Sequence, residues 1–282
     1  MATPRSRLLR SLGCLGLAVL VLAGLAVGGF ALLRSRGLAS PSPFEPRCVA
    51  VANDLAVTLT TSQAHYTAII TGISVKRGLA PRAASIAMAT VYQETGIRNL
   101  DYGDRDSVGL FQQRPSQGWG SVEELMDPYY STNAFYDVLV RLDGWESGDI
   151  NDVAQEVQRS GFPEAYRQHE GNARVLGSVF TGHSPAALRC SHRELAAADP
   201  EGLARSLSDT LGVDDTERGT RSGEDPTPVL HVAAGDGALA WAVASHALAN
   251  AGRHGVVEVE VAGMTWSHDH NRLADWLPAA AG

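Results

Sequence analysis

The sequence predicts a mainly α exported domain with one small β-hairpin, preceded by a single transmembrane helix and followed by a small α/β module. Three observations carry this prediction. Residues 12–33 are uncharged and rich in Ala, Gly, Leu and Val. Between about residues 60 and 180, apolar residues recur at helical spacing between turn and cap signals. Near the end, two short Val-bearing runs flank an Ala-rich helical stretch.

The first eleven residues carry Arg5, Arg7 and Arg10 and no acid. At a rise of ~1.5 Å per residue, the run 12–33 is long enough for a bilayer core of ~30 Å. It exceeds the ~7–15 residues of a secretory signal core, so it reads as an uncleaved anchor. The basic charge before it favours an inside N-terminus. This places the chain in the cell membrane as a single-pass protein with its body extracytoplasmic. Cleavage after Ala39 is the alternative, and it would release a secreted body. Residues 34–47, with three prolines between Ser40 and Pro46, form a stiff spacer.

Cysteine usage and charge agree with export. Of three cysteines, Cys14 belongs to the apolar run, leaving Cys48 and Cys190 for the body. An oxidising compartment lets them pair, two separate buried thiols being the alternative. The formal net charge is −8, and the acids all lie beyond the basic N-terminal segment. That argues against nucleic acid as a partner, which needs clustered Lys and Arg, and is compatible with a neutral or peptide-bearing glycan.

Within residues 48–182 the pattern predicts a succession of helices. The first runs through Ala64, Ala68, Ile69 and Ile73, capped by Ser62 and stopped at Gly78. A capping-box pattern at Ser121 and Glu124 opens Val122–Met126. Further helices are predicted over Tyr129–Leu142, over Asn151–Arg159 with Asn151 as cap, and over Pro163–Phe180. Asn99–Asp106 is polar and turn-forming and reads as the hairpin. Val108–Gln113 reads as a short strand or the start of a helix, and a loop over Pro115–Gly120 presents Trp119.

The second helix carries the chemistry. Pro81 suits a first helical position and Gly96 the stop just past the last turn. Ile86, Ala87, Val91 and Glu94 share one face. Burial disfavours the charged form of Glu94, and the negative end of the helix dipole disfavours it again. Such a carboxylic acid can donate a proton near neutral pH; an exposed Glu on a slightly rotated helix is the ordinary alternative. Asp101, Asp104 and Asp106 are the nearby second carboxylates, or else plain turn residues around Gly103. A calcium loop starting at Asp104 fails, because Val108 and Pro115 stand where the EF-hand pattern needs ligands.

A helix closing on Glu94-Thr95, then a polar hairpin, then Gly109-Leu110-Phe111-Gln112 resembles the lysozyme-like superfamily, nearest to soluble lytic transglycosylases and goose-type lysozymes. In those proteins a Glu-Ser pair closes the first core helix and a Gly-Leu-Met-Gln segment lines the saccharide cleft. The resemblance covers roughly residues 60–180. It implies a lysozyme-like domain over 48–182 in which Glu94 protonates the glycosidic oxygen between N-acetylmuramic acid and N-acetylglucosamine in peptidoglycan glycan strands. It then activates the sugar's own 6-hydroxyl, with no enzyme nucleophile and no cofactor or metal. A lysozyme-type hydrolase needs a second carboxylate. Gln112 and Gln113 are expected to bond acetamido groups, Tyr102, Trp119 and Tyr166 to stack on sugar rings, and Asp104 and Asp106 to line the same cleft. The family also carries Ala-Tyr-Asn near its last core helix, whose Tyr contacts the acid. Here the match is Ala165-Tyr166-Arg167, and the lost Asn leaves open a catalytically inactive glycan-binding or scaffold domain of a cell-envelope complex.

Residues 183–228 are read as helical sequence over Leu195–Leu211, split by Pro200, followed by a charged linker over Gly212–Pro228. Residues 229–282 read as strand Val229–Ala234, helix Ala238–Asn250 and strand Val256–Val261, a βαβ-like unit. This module resembles small C-terminal modules of actinobacterial wall-associated proteins. Gly235, Gly237, Ala240 and Glu258 formally match a dinucleotide fingerprint, but two strands cannot form the crevice that such a cofactor occupies. His268 and His270, with His246 and His254 upstream, lack the spacing of a metal site.

Overall fold

The computed structural model describes residues 45–159, 164–222, 226–234 and 237–279, and residues 46–282 form one compact unit. The basic N-terminus, the apolar run and nearly all of the spacer lie outside the described residues. Among the described residues no helix is long and apolar enough to cross a membrane. The architecture is a set of helices with small antiparallel sheets.

The unit opens with a hairpin that periodicity did not reveal. Strands β1 (Arg47–Ala52) and β2 (Leu55–Leu59) pair antiparallel, joined by Asn53 and Asp54, both at positive φ. Asn and Asp tolerate that conformation because their short polar side chains bond locally. A third strand, β3 (Leu188–Ser191), pairs with the other edge of β1, so that Cys48 lies directly opposite Cys190. The two form a disulfide that links neighbouring strands.

Helix α1 (Thr61–Lys76) starts two residues earlier than a Ser62 cap would give. Thr60 is the cap, with a reciprocal bond from Gln63. Helix α2 (Pro81–Thr95) has the boundaries that Pro81 and Gly96 predict. It is the centre of the core: every residue from Ala83 to Val91 is buried, not just one face. Helices α3 (Val122–Met126) and α4 (Pro128–Leu139) follow, the first opened by the Ser121/Glu124 capping box. Helix α5 (Ile150–Gln158) is capped by Asp149 rather than Asn151, which is fully buried inside the first turn. Residues Arg167–His169 form a 3₁₀ turn leading into α6 (Glu170–Phe180), which begins well after Pro163. Helix α6 lies tightly along α2: a Cβ on Gly177 would sit 2.5 Å from the Ser85 hydroxyl and 3.3 Å from the Pro81 carbonyl. The stretch expected as the hairpin, Asn99–Asp106, is instead a turn-rich loop tied by single bridges, Leu100 to Gly109 and Val108 to Gln113.

Beyond residue 183, Pro200 does not split a helix but starts one. Helix α7 (Pro200–Leu211) has Pro at its first turn and Asp199 as cap. The presumed linker contains β4 (Thr216–Arg221), paired with β5 (Thr227–Val232). Helices α8 (Gly237–Ala249) and α9 (Ala251–His254) lead to β6 (Glu258–Val261), β7 (Met264–Ser267) and the short β8 (Leu277–Pro278). The two strands expected to form a βαβ unit, β5 and β6, belong to separate antiparallel sheets and do not pair. Each found a hairpin partner instead, because β4 and β7 are close in sequence and cost less loop entropy to recruit. Helix α8 is apolar on nearly all sides and packs against α1, α6 and α7, so the tail shares the interior of the whole unit.

Candidate functional site

Four segments converge on the C-terminal end of α2. Glu94 sits one residue before its last, half-buried, where the peptide dipoles of the helix point their negative ends. The carboxyl Oε1 accepts a hydrogen bond from the Tyr166 hydroxyl at 2.8 Å and a long one from Gln158 Nε2 at 3.5 Å. Oε2 has no protein partner among the described residues. Burial raises the pKa of Glu94 above its ordinary value, and the Tyr166 and Gln158 bonds pull the other way without cancelling it. Loss of solvation is the larger effect, and the Tyr166 bond holds the group in a fixed position.

The supports of this carboxyl are themselves fixed. Tyr166 is fully buried, and its backbone N–H bonds the side chain of buried Asn151 at 3.2 Å. Gln158, at the end of α5, spends its strong bond on the Phe111 carbonyl at 2.7 Å. Thr95, next to Glu94, donates its hydroxyl to the Leu110 carbonyl at 3.0 Å. The loop carrying Gly109–Gln112 is thereby tied by two of its own carbonyls, Leu110 accepting from Thr95 of α2 and Phe111 from Gln158 of α5. Arg167 engages Glu164, three residues before it, and Asp149 and Asp152 at the start of α5, so its charge is satisfied by acids.

The other predicted residues fall into two groups. Tyr102 and Asp104 are exposed on the loop, Tyr102 at 66%. Trp119 is half-buried against the core, with its carbonyl accepting from the Tyr130 hydroxyl. Gln112 and Gln113, by contrast, are occupied. Gln113 is 2% exposed and its amide donates to the Ser131 carbonyl. Gln112 folds back onto its own loop, with bonds to the Tyr102 and Gly109 carbonyls and to the Ser107 hydroxyl. This close packing explains two glycines. A Cβ on Gly103 would overlap the Gln112 side chain, and one on Gly109, at φ +80°, would strike the Leu125 carbonyl.

Asp106 is clamped. Its carboxylate accepts from the Ser116 N–H at 2.8 Å, Arg114 Nε at 2.7 Å and the Ser116 hydroxyl at 3.0 Å. The Ser116 backbone bond, then Arg114, hold its pKa far below the usual carboxylate range. It is a strut between two loops rather than a base. Sequence reasoning missed Gln158 and Asn151 as supports, because both act over long separations. It also missed an aromatic shelf beside Glu94, where Tyr92 stacks on His169 with ring centres 5.5 Å apart and Gln93 bonds His169 Nε2. Burial pushes the Tyr92 phenol up to about 12, keeping it neutral.

No protein-family model matches this sequence, and no curated protein is significantly similar to it.

Proposed function

We propose that this chain is a membrane-anchored, extracytoplasmic lytic transglycosylase-like enzyme. In this reading residues 48–182 are a lysozyme-like domain, and Glu94 is the single acid/base acting on the MurNAc–GlcNAc bond of peptidoglycan. The observation that carries the reading is the Tyr166–Glu94 bond, made to a half-buried carboxyl whose second oxygen has no partner among the described residues. The disulfide between Cys48 and Cys190 supports an oxidising compartment.

The chemistry follows from the two oxygens. With Tyr166 holding Oε1, protonated Glu94 gives its proton to the glycosidic oxygen as the C1–O bond breaks. The carboxylate so formed takes the proton of the same sugar's 6-hydroxyl, whose oxygen closes on C1 to give a 1,6-anhydro end. Glu94 returns to its acid form. A hydrolase would use a second carboxylate to activate water. Asp106 is spent on Arg114 and Ser116, which favours the intramolecular route. The replacement of Asn by Arg167 is the feature that favours the second reading, a domain that holds glycan without cutting it.

One experiment separates these. The full chain, kept in detergent, and its Glu94→Gln variant are incubated with purified peptidoglycan, and the muropeptides are analysed. Anhydro ends that fall by about 100-fold or more in the variant are expected, as for loss of an acid/base group. Reducing ends instead would assign a hydrolase. Intact glycan that co-sediments with both proteins would overturn the enzymatic reading.

A further inference from the structure

A groove of about 790 Å³ lies in the C-terminal part of the unit, away from Glu94. Its two long walls are β5 and β6, and its floor is formed by α7 and α8 through Leu203, Leu207, Val243 and Ala247. Both walls are edge strands. In the described sheets β5 pairs only with β4 and β6 only with β7, so Val229–Val232 of β5 and Glu258–Val261 of β6 each have one edge without a strand partner in those sheets. Arg221, opposite Thr227 at the start of β5, forms an ion pair at 2.7 Å with Glu258 at the start of β6. That pair places the starts of β5 and β6 at the same end of the groove.

Two strand edges with no partner in the described sheets, flanking one apolar-floored groove, have a specific complement. An added strand would satisfy both lines of backbone groups and lay every second side chain on the floor. Proteins ordinarily protect such edges with lysine, bulges or a covering element. Here the rim carries acids instead. Asp199, Asp215, Glu217, Glu258 and Glu260 line the groove, against Arg221 as its one arginine. Asp199 is engaged by the start of α7 and Glu258 by Arg221. Glu217 and Glu260 are exposed, and Glu260 lies in the field of Arg221 without forming a described salt bridge. An acidic or neutral polar strand would bring no compensating charge to this rim, whereas a cationic one would.

We propose that the groove between β5 and β6 binds an extended, cationic segment of a partner protein, one that alternates apolar with basic residues and is held by strand addition to both edges. The site is independent of Glu94, so its occupant need not be a substrate. A heptapeptide of alternating lysine and valine, labelled with fluorescein, is the direct probe. It is titrated into the full chain in detergent and followed by fluorescence anisotropy.

Binding should weaken at least about fivefold when sodium chloride is raised from 0.1 M to 0.5 M, as charge complementarity is screened. A version N-methylated at alternate amides should bind at least about tenfold more weakly, because it cannot complete the ladder. A glutamate–valine counterpart should not bind. The double variant Glu217→Lys with Glu260→Lys should lose at least about fivefold. Should that variant fail to fold, hydrogen exchange on the unaltered chain decides, since the peptide should slow exchange in both 229–232 and 258–261. Equal binding of the N-methylated or acidic peptide, or protection confined to other segments, would overturn the proposal. So would a dimer of this chain, seen by light scattering, that protects the same edges and that the peptide does not displace.

Discussion

Replacing Tyr166 with Phe isolates the bond on which the Glu94 arrangement depends. The substitution keeps the ring in its fully buried site and removes only the hydroxyl that donates to Oε1 at 2.8 Å. That donor stabilises the carboxylate more than the neutral acid, so its loss must raise the pKa of Glu94 further. A hydrogen bond to a charged group contributes about 1.5–3 kcal/mol. At ~1.4 kcal/mol per tenfold, proton affinity should rise by about tenfold or more. The Gln158 bond at 3.5 Å is too long to compensate, and Gln158 is already committed to Phe111. The assay is carboxyl-carbon NMR on selectively labelled glutamate, with Glu94→Gln identifying the resonance. Under the proposed function, the high-pH limb of the activity profile should move in the same direction, because the acid form would persist to higher pH. A Glu94 titration that stays in place, or moves to lower pH, would refute the reasoning that this hydroxyl opposes a dominant desolvation.

Two further outcomes concern stability. Cys48 and Cys190 are 142 residues apart, and in the chain-entropy description a loop of that size gives about 5 kcal/mol. Replacing both with Ala should lower the unfolding free energy in water, with about 5 kcal/mol as the upper limit, and steepen the denaturant slope, because the freed denatured chain exposes more surface. His246 is fully buried, and burial, with lesser repulsion from His65 and His254, lowers its pKa from 6.5 to about 3. Its unfolded form therefore takes up a proton below pH 6.5 while the folded form does not, so stability is full above pH 6.5 and falls as pH drops towards 3. Between pH 7 and pH 5 this one group should account for about 2 kcal/mol of lost stability. His246→Gln should flatten denaturant midpoints measured across that range.

Some of the arrangement was legible in short windows of sequence. Pro81 and Gly96 delimit α2, and Ser121 with Glu124 opens α3, because caps and stops are chemistry between residues three or four apart. The pairing of Cys48 with Cys190 could be raised from the number of cysteines alone. The fate of Gln112 and Gln113 could not. Their amides looked available for a ligand, yet their loop closes on Ser107 and Ser131 and uses them itself. Asp106 likewise met Arg114 and Ser116 only because the loop doubles back, and β5 and β6 looked like a pair only because a helix joins them.

By itself, then, the sequence determined that a helix should end in Glu94 with apolar residues on its face, since periodicity and terminal residues act within a turn or two of chain. Tertiary structure alone decided that Tyr166, 72 residues away, would hold that carboxyl, that Asn151 would hold Tyr166 in turn, and that α2 would be buried on every side. Those choices depend on which surfaces exclude water together, and that is settled only when α2, α5 and α6 pack at once.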